Sequence, residues 1–207
     1  MKHKPNLTAG RPRAFDRDEA LRIAMKLFSK HGYEGVSIAD LTAAMNIAPP
    51  SLYAAFGSKE ALFREALALY LQRPDLPHLA CTGPVRDQIR KLLHDTVRAA
   101  TDPDFPAGCM VTAGMLTCRA EHEGLADSIA GLRTARCEQI AGHVRDAVRA
   151  GELPPDTDTK AIGRFVMALA QGIAIQAHDG ATAAELFALV DVALQSWPGA
   201  APARPAP

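Results

Sequence analysis

Apolar residues recur along this chain at helical spacing, and nowhere do they alternate as a half-buried strand would. Ala20, Ile23, Ala24, Leu27 and Phe28 follow the i, i+3, i+4 rule behind Asp16, with Glu19 placed to complete a capping-box-like pair and Gly32 as the stop. Ile38, Leu41, Thr42 and Met45 make a second, shorter stripe, and Leu52 with Phe56 a third. Behind Ser58 a fourth helix runs through Ala61, Leu62, Ala66 and Leu69 to about Gln72. Pro74, Pro77 and the Gly83-Pro84 pair break the chain. Helices are then predicted over about 84–100, 109–120, 124–150 and 158–177, with a last one that Thr182 and Glu185 cap and Trp197-Pro198 closes. The 158–177 stretch is apolar over more than one face, which calls for burial on both sides. The pattern predicts an all-α fold of about nine helices.

The most informative stretch is residues 37–60, SIADLTAAMNIAPPSLYAAFGSKE. Ser37 and Asp40 have the spacing of a capping box. Asn46 suits the left-handed conformation that ends a helix, and Ile47 turns back inward. Pro49 and Pro50 stand at the start of the next helix, where missing N–H donors cost little. Leu52 and Phe56 pack inward and leave Ser51, Tyr53, Ala54 and Ala55 outside. Helix, tight turn and short helix make a helix-turn-helix unit, whose second helix enters a DNA major groove.

Composition changes this picture only in its charge distribution. The 207 residues, 48% hydrophobic and 22% charged, describe an ordinary globular protein. No run approaches a membrane span and the first residues are basic and polar, so a cytoplasmic location is expected. Net charge is zero, yet residues 1–72 carry ten Lys and Arg against seven Asp and Glu, and the rest thirteen against sixteen. Lys2, Lys4, Arg11 and Arg13 all precede the first acid, Asp16. A basic arm over residues 1–14 is a modest phosphate-binding footprint, and Arg11 and Arg13 are expected to follow the DNA backbone or enter the minor groove. Four cysteines and seven histidines show no zinc spacing, and no metal or other cofactor is expected.

The run LTAAMNIAPPSLYAAFGSKEALF resembles the N-terminal DNA-binding domain of TetR/AcrR-family transcriptional regulators. The matching points are Leu41, Ala44, Ile47, the Leu52-Tyr53 pair, Phe56, Ser58-Lys59-Glu60 and Leu62, with His31-Gly32-Tyr33-Glu34-Gly35-Val36-Ser37 upstream. Asn46 stands where the family usually has glycine, and no Lys or Arg lies between Asn46 and Gly57. The resemblance implies a helix-turn-helix domain over 15–57, a connecting helix and linker over 58–83, a ligand-binding and dimerisation domain over 84–197, and a tail over 198–207. It also implies a homodimer on a palindromic operator of double-stranded DNA, and a small-molecule ligand that releases a repressor. An activator of the same fold, or a helical ligand-binding protein with weakened DNA binding, are the alternatives.

Site residues follow from these readings. Ser37, Tyr53 and Lys59 are expected on phosphates, Lys59 because a helix N-terminus already attracts one. Pro49, Pro50, Ser51 and Ala54 would face the bases, where contact with thymine methyls is the chemistry available, and Ala39 would add to it. The broad apolar faces of the last two helices admit a single-chain core or a dimer interface. The resemblance favours the interface, with Ile162, Val166, Ala170, Ile173, Ala177, Leu186, Val190 and Leu194 as its residues. The family pattern also implies a cavity among the middle helices, with Met110, Met115, Cys118, Val144, Phe165, Met167, Gln171 and His178 as candidate lining. Apolar residues at helical spacing are equally ordinary core, and that alternative stands for this whole set. Cys109 would open a helix, where a thiol gains reactivity, and some electrophile-responsive family members resemble this arrangement; a buried inert cysteine is the alternative. An enzyme is not expected: GxSxG, P-loop, dinucleotide and HExxH signatures are all missing.

Overall fold

Each helix begins where the sequence supplies a cap and ends where it supplies a breaker. The computed structural model describes residues 16–79, 82–103, 105, 109–112, 115 and 118–198. Among them are eight α-helices, one 3-10 turn and no strand: Arg17–His31 (α1), Ile38–Met45 (α2), Pro49–Phe56 (α3), Lys59–Leu71 (α4), Val85–Ala100 (α5), Glu123–Arg149 (α6), Thr159–His178 (α7) and Ala183–Gln195 (α8). Of the buried helix expected over 109–120, the described residues form none: they lie in turns and irregular backbone, with the 3-10 turn Ala120–His122 at the end. Apolar content alone predicted it, and Gly108 and Gly114 weaken helix propensity through that stretch.

The caps set the termini. Asp16 accepts hydrogen bonds from the N–H groups of Asp18 and Glu19 and caps α1. Glu19 does not reciprocate, because its carboxylate takes the Arg22 guanidinium at 2.8 Å. Ser37 with Asp40, and Thr182 with Glu185, form complete capping boxes at α2 and α8. Hydrogen bonds from the Ser37 hydroxyl and N–H hold the Asp40 carboxyl below the usual carboxylate range; at Glu185 the Thr182 N–H and then its hydroxyl do the same. A carboxylate whose pKa falls on folding stabilises the fold above its unfolded value and loses that contribution as pH drops through the folded one. Thermal melts from about pH 5 to about pH 3 should therefore show a falling midpoint. Asp40→Asn with Glu185→Gln, which keep an acceptor but cannot titrate, should flatten that fall; an unchanged slope would place the acid sensitivity elsewhere.

Two cores result. The first joins α1 to α4 around a fully buried aromatic cluster: the Phe63 ring lies edge-on to Phe28 at 5.0 Å and to Tyr33 at 5.2 Å. The helix expected to be a connector, α4, is thus part of this unit through Leu62, Phe63, Ala66 and Leu67. Leu125 and Ile129, at the start of α6, pack into the same core and tie the two halves together. The second core gathers α5, the rest of α6, α7 and α8 around Ile89, Leu93, Val144, Val166, Ile173 and Val190. The approach of α6 to α7 needs Gly163, where a Cβ would stand 2.8 Å from the Cys137 carbonyl oxygen.

Candidate functional site

The outward face of α3 is fixed by what lies beneath it. Leu52 and Phe56 are buried and set the rotation of the helix, and Asn46, in the left-handed region at φ 53°, sets its angle to α2. Pro49, Pro50, Ser51, Tyr53 and Ala54 are exposed as a result, Tyr53 at 48%, and Ala39 on α2 is exposed beside them. Ala55, expected outside, is half-buried because it packs on the first core, and its carbonyl oxygen accepts from Arg17 Nε at 3.3 Å. Sequence reasoning missed Arg17: its guanidinium lies 4.5 Å over the Phe56 ring and pairs with Glu65 at 2.7 Å, bracing α3 against α1 and α4.

Two of the residues expected on phosphates already have partners within the chain. The Ser37 hydroxyl donates to Asp40 Oδ2 at 2.6 Å and its N–H does so at 2.8 Å, so both donors serve the capping box. The Lys59 ammonium sits 4.2 Å over the Tyr33 ring, and partial burial lowers its pKa. Tyr33 in turn meets the His122 ring at 4.8 Å, and the Arg119 N–H donates to Glu34 at 3.2 Å. The segment that opens α6 therefore meets the turn after α1 at the same ring that Lys59 covers. Arg11 and Arg13 lie outside the described residues.

A cavity of about 370 Å³ opens between the end of α4, the following linker, α5, α6 and α7. Its walls include Leu92, Leu132, Ile140, Met167 and Ala170, and its polar groups include Tyr70, Arg73, His78, Thr96, Cys109 and Arg136. Burial raises the Tyr70 hydroxyl pKa strongly, with Cys109 adding to the effect. Arg73 stacks 3.5 Å over the Phe105 ring and pairs with Asp75. Cys109 Sγ accepts from the Thr112 N–H at 3.4 Å within a turn. Among the described residues, no helix begins at Cys109 to raise its reactivity.

Of the lining expected from sequence, Met167 faces this cavity. Met110, Met115 and Cys118 instead pack with the first core and Val144 with the second, while Phe165 is 40% exposed on the outside of α7. Gln171 lines a second hollow between α6 and α7, and His178 a third between α1 and α7 that Cys109 also borders. The residues expected at the interface point inward in the single chain. Val166, Ile173, Ala177, Leu186, Val190 and Leu194 are buried within one chain, Ile162 packs against them, and Ala170 lines the cavity. The exposed strip is on the other side: Phe165, Ala168 and Ile175 on α7, with Ala188 and Val192 on α8. Periodicity identified two apolar faces on α7; it could not say which one the chain keeps for its own core.

The profile described as bacterial regulatory proteins of the tetR family matches residues 20–66, and that of the tetracyclin repressor-like C-terminal domain matches 85–193. The chain is 34% identical over 193 residues to the HTH-type transcriptional repressor ComR of Escherichia coli K12, covering 91% of this chain and 92% of that one. It is 37% identical over 115 residues to the repressor BdcR of the same organism, covering 54% and 58%. Among solved structures, a cysteine-substituted TetR family regulator CifR, bound to 26-bp double-strand operator DNA, superimposes with a TM-score of 0.83 at 42% identity. That match covers 91% of this chain and 100% of the other. With most of α1 to α4 under the first profile and most of α5 to α8 under the second, this chain belongs to the TetR family of bacterial transcriptional regulators.

Proposed function

We propose that the protein is a cytoplasmic, non-enzymatic transcriptional repressor that binds a palindromic operator as a homodimer and leaves it when a small molecule fills the cavity. The observation that carries this is the exposed, uncharged face of α3, held rigid by Leu52, Phe56 and the Arg17 brace. Pro49, Pro50, Ser51 and Ala54 offer apolar surface to thymine methyls, and Tyr53 offers a hydroxyl to a phosphate. Twofold pairing through the strip of Phe165, Ile175 and Val192 would set two such faces in successive major grooves. No helix among the described residues is long and apolar enough to cross a membrane.

Release is supported by one continuous element. Helix α4 carries Lys59 at its DNA-proximal end and Tyr70 in the cavity wall, and its 13 residues span about 20 Å. A ligand acts on the operator through its differential affinity for two placements of that helix.

The test is fluorescence anisotropy of the full chain on the intergenic DNA beside its own gene, at several salt concentrations. Palindrome-dependent, salt-sensitive binding is expected. Tyr53→Ala should weaken it about tenfold, and Lys59→Ala should reduce the salt slope by about one. If neither that DNA nor duplexes selected from a random pool bind tighter than unselected DNA, the repressor reading is wrong.

A further inference from the structure

The cavity walls carry two guanidinium groups and, among the described residues, no carboxylate. The two are not equivalent. Arg73 is neutralised by Asp75 and flattened against Phe105, so its charge is already matched. Arg136 has no acid within ion-pair distance among the described residues. It donates at 2.6 Å to the Pro77 carbonyl oxygen and at 2.7 Å to the Gln139 amide oxygen, both uncharged. Those bonds use two of the five N–H groups of its fork. Burial makes the charged form less favourable there, as the lowered pKa of Arg136 records. A half-buried cation without a counter-charge, in a mostly apolar cavity, is a cost that an anionic ligand would offset. Guanidinium geometry matches the two oxygens of a carboxylate.

We infer that the cavity takes a compact apolar acid, its hydrocarbon body against Leu92, Leu132, Ile140 and Met167 and its carboxylate on the free edge of Arg136. This rests on the cavity being the effector site, and it names the chemical class of the effector. Arg136 also holds the linker at Pro77 to α6, so a carboxylate drawing on its fork is placed to move the segment that follows α4. Neutral hydrocarbons and bare inorganic anions satisfy only half of the site.

Calorimetry on the full chain without DNA tests this, with butanoate, hexanoate, octanoate and decanoate each paired with its primary amide, and with inorganic phosphate alone. The best carboxylate should bind about tenfold to a hundredfold more tightly than its amide, and phosphate should bind more weakly than either. Arg136→Gln should bring the carboxylate-to-amide ratio close to one, Arg136→Lys should retain part of it, and Met167→Trp should weaken acid and amide together. A merely structural Arg136 would leave the ratio unchanged in whichever variants fold, as judged by circular dichroism. Equal binding of acid and amide to the native chain, or no binding by any acid of the series, would overturn the inference without any variant. Operator binding is read separately: acids that bind through Arg136 to a chain with no operator would sink the repressor reading and keep this one. Acids that fail to bind a chain that does hold an operator would do the reverse.

Discussion

Phe63→Ala is expected to lower the unfolding free energy by about 3–5 kcal/mol, a large share of a typical domain's stability. The ring is fully buried and is the shared neighbour of Phe28 and Tyr33, so its removal takes both edge-to-face contacts and leaves a void where α1, α4 and the turn after α1 converge. The void cannot close cheaply. Leu125 and Ile129 of α6 press on the same core from the second domain and are held in place by their own helix. Urea titration followed by circular dichroism measures the loss, and an unchanged slope against denaturant would show that the folded state itself was weakened. DNA binding should fail with it, because α3 keeps its angle only while α1 and α4 are packed. A loss under about 1 kcal/mol would mean that the cluster repacks and is not the keystone of the first unit.

Sequence legibility was highest where local chemistry decides structure. Ser37 with Asp40, Asn46, the paired prolines and the Ser58 cap each dictate a backbone conformation within a few residues, and α1 to α4 stand where those signals put them. The recognition face was readable for the same reason: burying Leu52 and Phe56 leaves no other surface of α3 outside. Legibility failed where the answer depended on a distant partner. Apolar content made residues 109–120 look helical, but such content does not distinguish a helix from packed turns. On α7, Val166 and Ile173 are buried in the same chain's second core while Phe165 and Ile175 face solvent, a distinction that only tertiary packing makes. The cavity was the least legible. Tyr70, Arg73 and Arg136 come from two helices and a linker far apart in sequence, and methionine, chosen as the flexible pocket residue, mostly fills core here.

Ala54→Glu is expected to reduce operator affinity about a hundredfold or more, on the order of 3 kcal/mol, while leaving the fold intact. Ala54 is exposed in the middle of the uncharged face of α3, beside Tyr53, and touches neither core. Glutamate is a good helix former, so the urea midpoint should move by no more than about 0.5 kcal/mol of stability. Against a duplex, its carboxylate meets phosphates and must lose water in the groove without a cation nearby, since α3 has no Lys or Arg. Ala54→Arg is the complementary change: it should raise affinity for unrelated DNA and steepen the salt dependence, because the added charge contacts phosphate wherever the protein lands. Together the pair separates position from stability, as Phe63→Ala cannot. If the glutamate variant binds its operator as the native chain does, α3 does not enter the groove. DNA contact would then have to come from another surface of the first unit.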